Sequence, residues 1–484
     1  MIETRTDRSA ARARPAPVAL QELPELAGVS PMDAAEHLGD VRGLALLESA
    51  RPGRNARWSY LTAEPVAVLE APAPGGDPFA GARRLLSRLS RAPMPAEAPP
   101  FSGGLVGYLS YDVGRSFEPR TVIAPDDQNL PPLRLALHDW VVAWDHRTGR
   151  AWLAGRAVDG DAEALGHKLA AIRDRLARGP GDSVALPAGD ISGLTFTSGI
   201  DRPTYLKRVE AVRDAIARGE IYQANLTRRL ETNFSGHPWS LYRRLRTGDP
   251  ALFAAYLDLG FATDGGTDPG GRRAIASASP EPFLAVDRAG RVTTNPIKGT
   301  RPRGRTRMED RALACELLGS AKDRAENVMI VDVLRNDLGR VCRPGSVRVP
   351  RLCRLERTAA VQHLVSTVTG QLRPGCGPFE LLAASFPGGS ITGAPKIRAM
   401  ELLETLEPVR RGPYTGALGW IGPDGAMATS ILIRTFVADG RRLTLHVGGG
   451  ITWGSDPAAE WDETVAKAAG PLAAIGGREV DVVG

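Results

Sequence analysis

Three apolar segments near the C-terminal end constrain the fold more than any other feature of the sequence. Residues 416–421, 430–437 and 442–447 each have the length and composition of a β-strand. Pro423-Asp-Gly lies in the first gap and Asp439-Gly in the second, and Asp-Gly is a strong hairpin signal. The pattern predicts an antiparallel meander of three strands.

The 484 residues are enough for about two to four domains, or for one large α/β fold with a sizeable core. Residues 1–16, rich in Arg, Ala and Pro, are predicted to form a disordered tail. Residues 17–190 form an N-terminal region of short apolar runs between Pro- and Gly-rich breaks, ending in a predicted linker at 178–183. Residues 195–475 are dense in glycine-punctuated motifs, so we expect this region to carry the chemistry.

Apolar spacing, together with start and stop signals, also predicts several helices. Pro203 in a first turn and Gly219 as a stop delimit one of them, and Ser455-Asp-Pro provides a polar cap with proline just inside another. The predicted helices span residues 161–177, 202–218, 308–318, 323–338, 396–406 and 455–467.

The composition excludes several classes of protein. Lys and Arg number 61 against 55 Asp and Glu, and no zinc finger, RNA-recognition motif or basic heptad helix accompanies the excess. A nucleic-acid partner is therefore not expected, whereas an acidic small-molecule substrate fits the charge. No apolar run approaches the ~18 residues of a membrane span, and the N-terminus has no apolar stretch behind its charges. We expect a cytoplasmic protein without membrane contact.

The four cysteines, at positions 315, 342, 353 and 376, include no Cys-x-x-Cys pair and have no histidine at ligand spacing. A zinc site or a disulfide framework is therefore not expected. We predict reduced thiols that are mostly buried.

Glu460 and Glu463 are three residues apart on the last predicted helix, so they share one face. Carboxylates that share a face repel each other. If Glu326 joined them in space, Mg²⁺ would be the simplest counter-charge, because it prefers carboxylate and water ligands. The alternative is a solvated helix face, which the spacing alone favours.

Residues 386–396, Phe-Pro-Gly-Gly-Ser-Ile-Thr-Gly-Ala-Pro-Lys, resemble a phosphate-binding loop but lack its Gly-Lys-Ser/Thr ending. Ser390 and Thr392 nonetheless offer hydroxyls beside several glycine amides, at the start of a predicted helix. Because helix N-termini favour anions, a carboxylate ligand would fit here.

Three more side chains are candidates for chemistry, each with an alternative. Arg434 lies in an otherwise apolar segment and suits a substrate carboxylate, but an internal ion pair or an outward-facing position is equally compatible. Lys298 could be a nucleophile if burial or the nearby Arg301 and Arg303 favoured its neutral amine, and a surface lysine is the alternative. His363 lies on a predicted strand, where a structural histidine is the alternative to a site residue.

Together these segments resemble the chorismate-utilising enzyme family, which includes anthranilate synthase component I, aminodeoxychorismate synthase component I, isochorismate synthase and salicylate synthase. The similarity covers nearly the whole chain and is densest at residues 195–470. It is carried by Gly219-Glu-Ile-Tyr-Gln-Ala-Asn-Leu, Ser277-Ala-Ser-Pro-Glu, Pro296-Ile-Lys-Gly-Thr-Arg, Glu326-Asn-Val-Met-Ile-Val-Asp-Val-Leu-Arg-Asn-Asp, Val361-Gln-His, Ile433-Arg-Thr and residues 386–396 and 448–467. The implied fold is α/β (α+β), with large antiparallel β-sheets in a sandwich flanked by helices.

The resemblance also implies roles for single residues. Lys298 is the implied nucleophile that attacks C2 of the substrate ring, with Glu281 as general acid and His363 lining the site. The implied Mg²⁺ ligands are Glu326, Glu460 and Glu463. The implied substrate-binding groups are Arg434, Tyr414, Gln223, Ser390, Thr300, Lys467 and the backbone amides around Gly448, Gly449 and Gly450.

Two positions distinguish the reactions of this family. Members that add water carry a lysine general base at the place of Gln223, and glutamine cannot take a proton from water at neutral pH. Isochorismate and salicylate synthesis are therefore not expected. Anthranilate synthases usually carry alanine in Pro-Ile-x-Gly-Thr, whereas aminodeoxychorismate synthases usually carry lysine, and here the residue is Lys298. Residues 386–411 also look more like the aminodeoxychorismate branch.

The resemblance thus implies an aminodeoxychorismate synthase component I, which converts chorismate and ammonia to 4-amino-4-deoxychorismate for p-aminobenzoate and folate synthesis. No glutaminase region is visible, so a separate glutamine amidotransferase subunit is expected to supply the ammonia. The alternative is anthranilate synthase component I, which also eliminates pyruvate. A different alternative is an inactive scaffold or amino-acid-binding subunit that retains the fold. Separately, Leu46-Leu-Glu-Ser-Ala resembles the stretch that forms the tryptophan pocket in feedback-inhibited anthranilate synthases, a pocket that the aminodeoxychorismate branch can keep in vestigial or structural form.

Overall fold

The computed structural model describes residues 16–38, 41–51, 56–72, 77–118, 123–128, 130–178, 191, 193–261, 271–358 and 361–480. The predicted tail at 1–16, apart from its last residue, lies outside the described residues, as does the predicted linker after residue 178. The prediction of disorder in the tail therefore stays a prediction.

The described residues include twenty-three strands. They are β1 (Val18–Glu22), β2 (Ala45–Glu48), β3 (Trp58–Thr62), β4 (Ala67–Leu69), β5 (Gly104–Leu109), β6 (Leu133–His138), β7 (Trp140–Asp145), β8 (Arg150–Arg156), β9 (Thr195–Ser198), β10 (Gln223–Asn233), β11 (Phe253–Phe261), β12 (Arg272–Ser279), β13 (Pro282–Val286), β14 (Arg291–Thr294), β15 (Ile297–Pro302), β16 (Arg348–Arg357), β17 (Val361–Gln371), β18 (Gly393–Ala394), β19 (Ala417–Ile421), β20 (Met427–Ile431), β21 (Thr435–Asp439), β22 (Arg442–Ile451) and β23 (Arg478–Val480).

Eleven α-helices and three short 3₁₀ turns complete the described structure. The helices are α1 (Pro31–Glu36), α2 (Ala80–Leu86), α3 (Gly114–Phe117), α4 (Ala162–Arg178), α5 (Arg202–Ala217), α6 (Pro238–Gly248), α7 (Arg307–Gly319), α8 (Ala321–Gly339), α9 (Pro378–Ser385), α10 (Lys396–Leu406) and α11 (Pro457–Ala474). The 3₁₀ turns are Pro24–Leu26, Tyr111–Val113 and Gly389–Ile391.

The strands form two sheets. The 13-stranded sheet has the order β1-β8-β7-β3-β2-β11-β12-β21-β22-β10-β9-β23, with β18 paired to β10. The 10-stranded sheet has the order β15-β17-β14-β13-β20-β19-β5-β6-β4, with β16 paired to β17. Among the pairs of named strands that the structure describes, only β9 and β23 run parallel. The strands of both sheets come from both predicted regions, 17–190 and 195–475.

Clusters of buried apolar side chains show how the two sheets and the helices are layered. One core cluster lies between the sheets and joins Tyr60 and Ile275 of the larger sheet to Val106 and Trp420 of the smaller one. The clusters on the outer faces pack helices such as α4 and α6 against the larger sheet and α8 and α9 against the smaller one. The predicted sandwich of antiparallel sheets flanked by helices is therefore confirmed.

The helix predictions hold where the sequence supplies caps. The Asp201 carboxylate accepts a hydrogen bond from the Thr204 amide at the start of α5, and Asp456 does the same for the Ala459 amide at the start of α11. Each of the six predicted helices appears within a few residues of its expected bounds, although α11 continues seven residues beyond Lys467 to Ala474.

The predicted C-terminal meander is wrong. Both hairpins form, β19 with β20 and β21 with β22, but they belong to different sheets. The predicted strand 430–437 is instead the end of β20 and the start of β21, with the chain crossing between the sheets at 432–434. An eight-residue apolar run fits one buried strand or two short strands buried in facing sheets, because both leave the side chains in the core.

All four cysteines are free. Cys342 and Cys353 are buried as predicted, Cys376 is half-buried and Cys315 is exposed. In the part of the chain that the structure describes, no helix has the length and apolar character needed to cross a bilayer.

Candidate active site

A cavity of about 800 Å³ brings most of the predicted site residues together. Its walls come from β15, the first turns of α8, the end of β22, α11 and the chain segments at 390–391, 414 and 433–434. Twelve of the predicted residues line it: Glu281, Lys298, Thr300, Glu326, His363, Ser390, Tyr414, Arg434, Gly448, Gly450, Glu463 and Lys467. The other three, Gln223, Gly449 and Glu460, are not part of this lining but lie directly beside it. Distances from the glycine positions of β22 show this.

The glycines at 448–450 leave room for these neighbours. A Cβ atom on Gly450 would lie 2.5 Å from Gln223 Nε2 and 3.5 Å from Lys298 Nζ. A Cβ atom on Gly449 would lie 3.0 Å from Glu460 Oε2. Side chains at these positions would therefore collide with the site, which explains the glycine run physically.

The same glycines do not form a turn, although a run of three glycines favours one. They continue β22, which pairs with β10 from Arg442 to Ile451, whereas β21 pairs with β22 only as far as Leu445. At the glycines, the edge of β22 that faces away from β10 is therefore not paired with β21. The Gly448 carbonyl on that edge accepts a hydrogen bond of 2.8 Å from Lys467 Nζ. Because the N–H and C=O of one residue in a strand point to the same side, the Gly448 amide faces this edge as well.

Gln223 is buried at the start of β10, and neither its amide nitrogen nor its amide oxygen has a hydrogen-bond partner among the described residues. Buried amides in folded proteins nearly always have partners. Its position beside Gly450 and Lys298 leaves both amide atoms available to a ligand in the cavity.

A β-bulge positions Lys298. In the antiparallel register, Lys298 pairs with Leu364 and Thr300 pairs with His363 on β17. Gly299 is therefore the extra residue on β15. Gly299 has a φ of 76°, which favours glycine, and a Cβ there would lie 2.9 Å from Leu317 Cδ1. The bulge lets both Lys298 and Thr300 line the cavity.

The expectation that Arg301 and Arg303 provide a positive field around Lys298 is wrong. Arg301 pairs with Glu316 at 2.7 Å, and Arg303 pairs with Asp310 at 2.7 Å. Because each guanidinium is offset by its own carboxylate, neither leaves an uncompensated charge for Lys298. Pairing between a loop residue and a helix distant in sequence cannot be recognised from local composition.

Glu281 is a buried carboxyl group whose charge interacts with that of Lys298. Burial raises the pKa of Glu281 to about 7, and this shift is opposed by Lys298, the Ile297 amide and the Ser390 hydroxyl. A carboxyl group that is half-protonated near neutral pH can donate a proton to a leaving group. The geometry thus fits Glu281 for general acid catalysis.

The three acidic residues Glu326, Glu460 and Glu463, here called the carboxylate cluster, come from two helices. Burial raises the pKa of Glu326 and of Glu460, and the charge of a neighbouring cluster member adds to each shift. Burial opposes ionisation of Glu463, but its pKa is lowered overall, because the hydrogen bond and charge of Lys467 act together with the charges of Lys322 and Lys298. Glu460 is buried, so the solvated helix face is wrong for that residue.

Two lysine side chains lie next to the carboxylate cluster. Lys467 Nζ lies 2.6 Å from Glu463 Oε1, and Lys322 Nζ lies 3.6 Å from Glu460 Oε1. Within the described residues, no group of three or more His, Cys, Asp or Glu side chains is arranged as a ready metal site. The donor chemistry nevertheless suits a hard divalent cation, because all three members are carboxylates, and they are close enough for Glu463 to raise the pKa of Glu460 and for Glu460 to raise that of Glu326.

The glycine-rich segment 386–396 has one polar group in the cavity, the buried Ser390. Thr392 instead donates from its hydroxyl to the Gly388 carbonyl at 2.9 Å. Lys396 donates to Asp337 at 2.9 Å and to the Ser385 carbonyl at 3.0 Å. The lysine of this motif is therefore structural, and it fastens the segment to α8.

Arg434 lies where the chain crosses between the sheets, with a φ of 50°. Its side chain is 43% exposed, and the distance from its Nη1 to Asp249 Oδ1 is 3.7 Å. The prediction that Arg434 lies within a strand is wrong, and the contact with Asp249 is too long for a hydrogen bond. The side chain can therefore donate both ends of its guanidinium to a carboxylate in the cavity.

Tyr414 and His363 complete the lining. The Tyr414 ring stacks on His446 with centroids 5.0 Å apart. His363 Nδ1 lies 2.8 Å from Thr300 Oγ1. Burial lowers the pKa of His363 to about 4, with help from the positive charge of Arg434, so the imidazole is neutral at physiological pH. His363 is a neutral hydrogen-bonding group in this site.

Sequence reasoning missed Lys322, Asp249 and Asn225, which also line the cavity. Lys322 directly precedes the predicted helix 323–338, but α8 begins at Ala321 and so includes it. Its spacing of four residues from Glu326 was the available signal, because such pairs share a helix face.

A buried ion pair supports the cavity from behind. The Arg411 guanidinium donates to Glu407 at 2.7 Å, to the Ile391 carbonyl at 2.8 Å and to the Asn225 carbonyl at 2.6 Å. These bonds join β10, the segment beside Ser390 and the chain before Tyr414, so they hold three parts of the lining in register.

The Leu46-Leu-Glu-Ser-Ala segment lies away from this site. Leu47, Glu48 and Ser49 line a second cavity of about 990 Å³ between the sheets. The buried Glu48 carboxylate accepts hydrogen bonds from Arg246 at 2.6 Å and from Tyr242 at 3.0 Å. This carboxylate is therefore already engaged by partners within the chain.

Comparison with known proteins points to the same family as the sequence motifs. A family model described as chorismate binding enzyme matches residues 45–473. The chain is 40% identical over 463 residues to anthranilate synthase component 1 of Streptomyces coelicolor, covering 92% of this chain and 86% of that protein. It is 36% identical over 438 residues to aminodeoxychorismate synthase component 1 of Bacillus subtilis, covering 87% of this chain and 89% of that protein.

Solved structures give the same result for the fold. The crystal structure of anthranilate synthase component I from Streptococcus pneumoniae has a TM-score of 0.74 at 31% identity, covering 87% of this chain and 93% of that one. The menaquinone-specific isochorismate synthase from Escherichia coli has a TM-score of 0.70 at 18% identity, covering 95% of this chain and 94% of that one. The second similarity concerns the fold alone.

Proposed function

Because the chain belongs to the chorismate-binding enzyme family, we propose that it is an aminodeoxychorismate synthase component I. In this proposal it converts chorismate and ammonia to 4-amino-4-deoxychorismate, the precursor of p-aminobenzoate in folate synthesis. Relatives of both kinds share 36–40% of their residues with the chain, so relatedness alone does not decide between the two activities. The observation that carries the proposal is the position of Lys298, whose amine reaches the cavity beside Glu281, Gln223 and the glycines of β22.

The substrate carries two carboxylates, and the cavity has cationic groups for both. In this proposal Arg434 holds the enolpyruvyl carboxylate together with the Gly448 amide and Tyr414, which keeps the pyruvyl group attached. Lys467, which also lines the cavity, is a second cationic group and is held in place by its bond to the Gly448 carbonyl. His363, neutral and bonded to Thr300, donates or accepts a hydrogen bond without adding charge.

The first covalent step joins Lys298 to the ring. The neutral Lys298 amine forms a bond to C2, the two ring double bonds shift, and the C4–O bond breaks. Glu281 donates its proton to the departing hydroxyl, which leaves as water. Transfer of a proton from the Lys298 ammonium to Glu281 prepares both partners at once, because it creates the neutral nucleophile and the protonated acid.

The second step releases the lysine. Ammonia forms a bond to C4, the double bonds shift back, and the C2–N bond to Lys298 breaks. Glu281, now a carboxylate, takes the surplus proton from the new amine. The two displacements together retain the original face at C4.

Glu326, Glu460 and Glu463 would hold Mg²⁺, which when bound withdraws electron density from the ring carboxylate. The support for this assignment is the donor set itself, three carboxylates from α8 and α11 at the edge of the cavity.

Replacement of Glu463 by glutamine is expected to weaken Mg²⁺ binding by about tenfold or more, because a neutral amide oxygen is a poorer ligand for a hard cation. The affinity is measured by calorimetric titration of the purified chain. Asp462→Asn, an exposed neighbour on the same helix, removes the same charge and is the matched control. Equal affinities for the two variants would refute the assignment of Glu463.

Ammonia is proposed to come from a glutamine amidotransferase subunit, as is typical for component I enzymes of this family. Ammonium salt at about pH 8.5 can replace that subunit in the assay, because a useful fraction of the ammonia is then neutral.

The function is tested by product analysis of the purified chain with chorismate, Mg²⁺ and ammonium salt. Products are followed by mass spectrometry and fluorescence, with and without an added aminodeoxychorismate lyase. p-Aminobenzoate that depends on the lyase is the expected result. Anthranilate and pyruvate formed without the lyase would assign the chain to the alternative branch, and an absence of product would favour an inactive subunit.

A further inference from the structure

Lys322 lies on α8 and lines the cavity, one helical turn before Glu326. Its ammonium lies 3.6 Å from Glu460 Oε1, so it connects α8 to α11 across the carboxylate cluster. The same charge attracts Glu326 and Glu463 electrostatically. The field of Lys322 therefore reaches all three members of the cluster.

The two lysines at the cluster are held differently. Lys467 Nζ is anchored by a hydrogen bond of 2.8 Å to the Gly448 carbonyl and by its pair with Glu463 at 2.6 Å. Lys322 Nζ is too far from Glu460 for a hydrogen bond. The two side chains are similarly exposed, 50% for Lys322 and 45% for Lys467, so the backbone hydrogen bond is what distinguishes them. Lys322 can turn into water without breaking a hydrogen bond to the backbone, whereas Lys467 cannot.

We propose that Lys322 is a movable counter-ion, which offsets the carboxylate cluster when no divalent cation is bound and turns into solvent when one binds. This inference rests on the proposed function, because the cation is the Mg²⁺ assigned there. A divalent cation between the carboxylates repels a neighbouring ammonium and removes its attraction to them. Lys322 therefore competes with the cation and lowers its affinity.

Displacement of Lys322 is tested by amine labelling of the full chain. A short pulse of acetic anhydride is given with and without saturating Mg²⁺, and modification of each lysine is measured by peptide mass spectrometry. Labelling of Lys322 is expected to rise several-fold when Mg²⁺ binds. Lys207, which is exposed on α5, is the internal control and keeps its labelling rate. Unchanged or slower labelling of Lys322 would overturn the inference.

Competition is tested by Lys322→Met, which keeps much of the side-chain length and removes the charge. Mg²⁺ binding, measured by calorimetry without substrate, is expected to become about tenfold tighter than in the unmodified chain. Lys207→Met changes the net charge by the same amount outside the cavity and is expected to stay within about twofold, because distant charges are screened by salt. Equal affinities for the two variants contradict a competing role for Lys322.

The outcomes separate this inference from the proposed function. Mg²⁺ binding to the unmodified chain with no gain in Lys322→Met overturns only the role of Lys322. If Lys322→Met binds Mg²⁺ and the unmodified chain does not, the role of Lys322 is supported, because Lys322 then competes strongly enough to prevent binding. Absence of binding by both chains refutes the metal assignment and this inference together, while amination activity is measured independently of either.

Discussion

Replacement of Lys298 by alanine is expected to lower kcat for 4-amino-4-deoxychorismate formation by about 10³-fold or more, which corresponds to about 4 kcal/mol of barrier. The reason is that the amine forms and breaks a covalent bond in every turnover. The rate is measured with saturating ammonium salt and Mg²⁺ through the lyase-coupled appearance of p-aminobenzoate. A kcat within about twofold of the unmodified chain, or ~0.4 kcal/mol, would rule out covalent catalysis by Lys298.

Loss of activity alone does not distinguish a lost nucleophile from a damaged cavity. The unmodified chain mixed with chorismate in the absence of ammonia is therefore examined by intact mass spectrometry. It is expected to gain the mass of chorismate less one water, and Lys298→Ala is expected to bind chorismate without this gain. An adduct that persists in Lys298→Ala would place the covalent bond on another residue.

Replacement of Glu281 by glutamine is expected to slow adduct formation by about 10² to 10⁴-fold, because glutamine cannot protonate the departing hydroxyl. Burial raises the pKa of Glu281 to about 7, so the acid form predominates below neutral pH and is lost as the pH rises. The ratio of kcat/KM for adduct formation in the unmodified chain to that in Glu281→Gln should therefore fall about tenfold per pH unit above neutrality, because both chains need the same neutral Lys298 amine and only the unmodified chain needs the Glu281 proton.

Adduct formation is the step to measure, because it requires no ammonia and is free of the pH dependence of ammonia itself. Glu281→Gln is expected to lose most of the rate. Glu163→Gln removes an exposed carboxylate on α4, outside the cavity, and should reproduce the unmodified pH profile. If the ratio of the unmodified chain to Glu281→Gln did not change with pH, the proton donor would be another group.

Local signals predicted the helices well, because caps act within a few residues. Asp201 and Asp456 accept hydrogen bonds from amides three residues further along, so their sequence positions mark where α5 and α11 begin. The same local rules failed at residues 430–437, where the apolar pattern is the same for one strand or for two strands in facing sheets. Which occurs depends on packing partners such as β12 and β13, far away in the sequence.

The candidate site was predicted through motif resemblance, and the structure adds what spacing cannot provide. Spacing places Glu460 and Glu463 on one helix face, but only the fold shows that Glu460 is buried and that Lys322 reaches it. Likewise, the pairing of Arg301 with Glu316 depends on how α7 packs beside β15. Charges in this site are set by long-range contacts, which a linear pattern does not contain.

The interleaving of early and late strands has a consequence for synthesis on the ribosome. β2 pairs with β11, and β5 pairs with β19, so strands made early wait for partners encoded some 200 to 300 residues later. Until those partners emerge, both early strands carry unpaired edges, which are prone to associate with other chains. The sequence order of the strands therefore leaves aggregation-prone edges exposed during synthesis, and it places completion of both sheets near the end of translation.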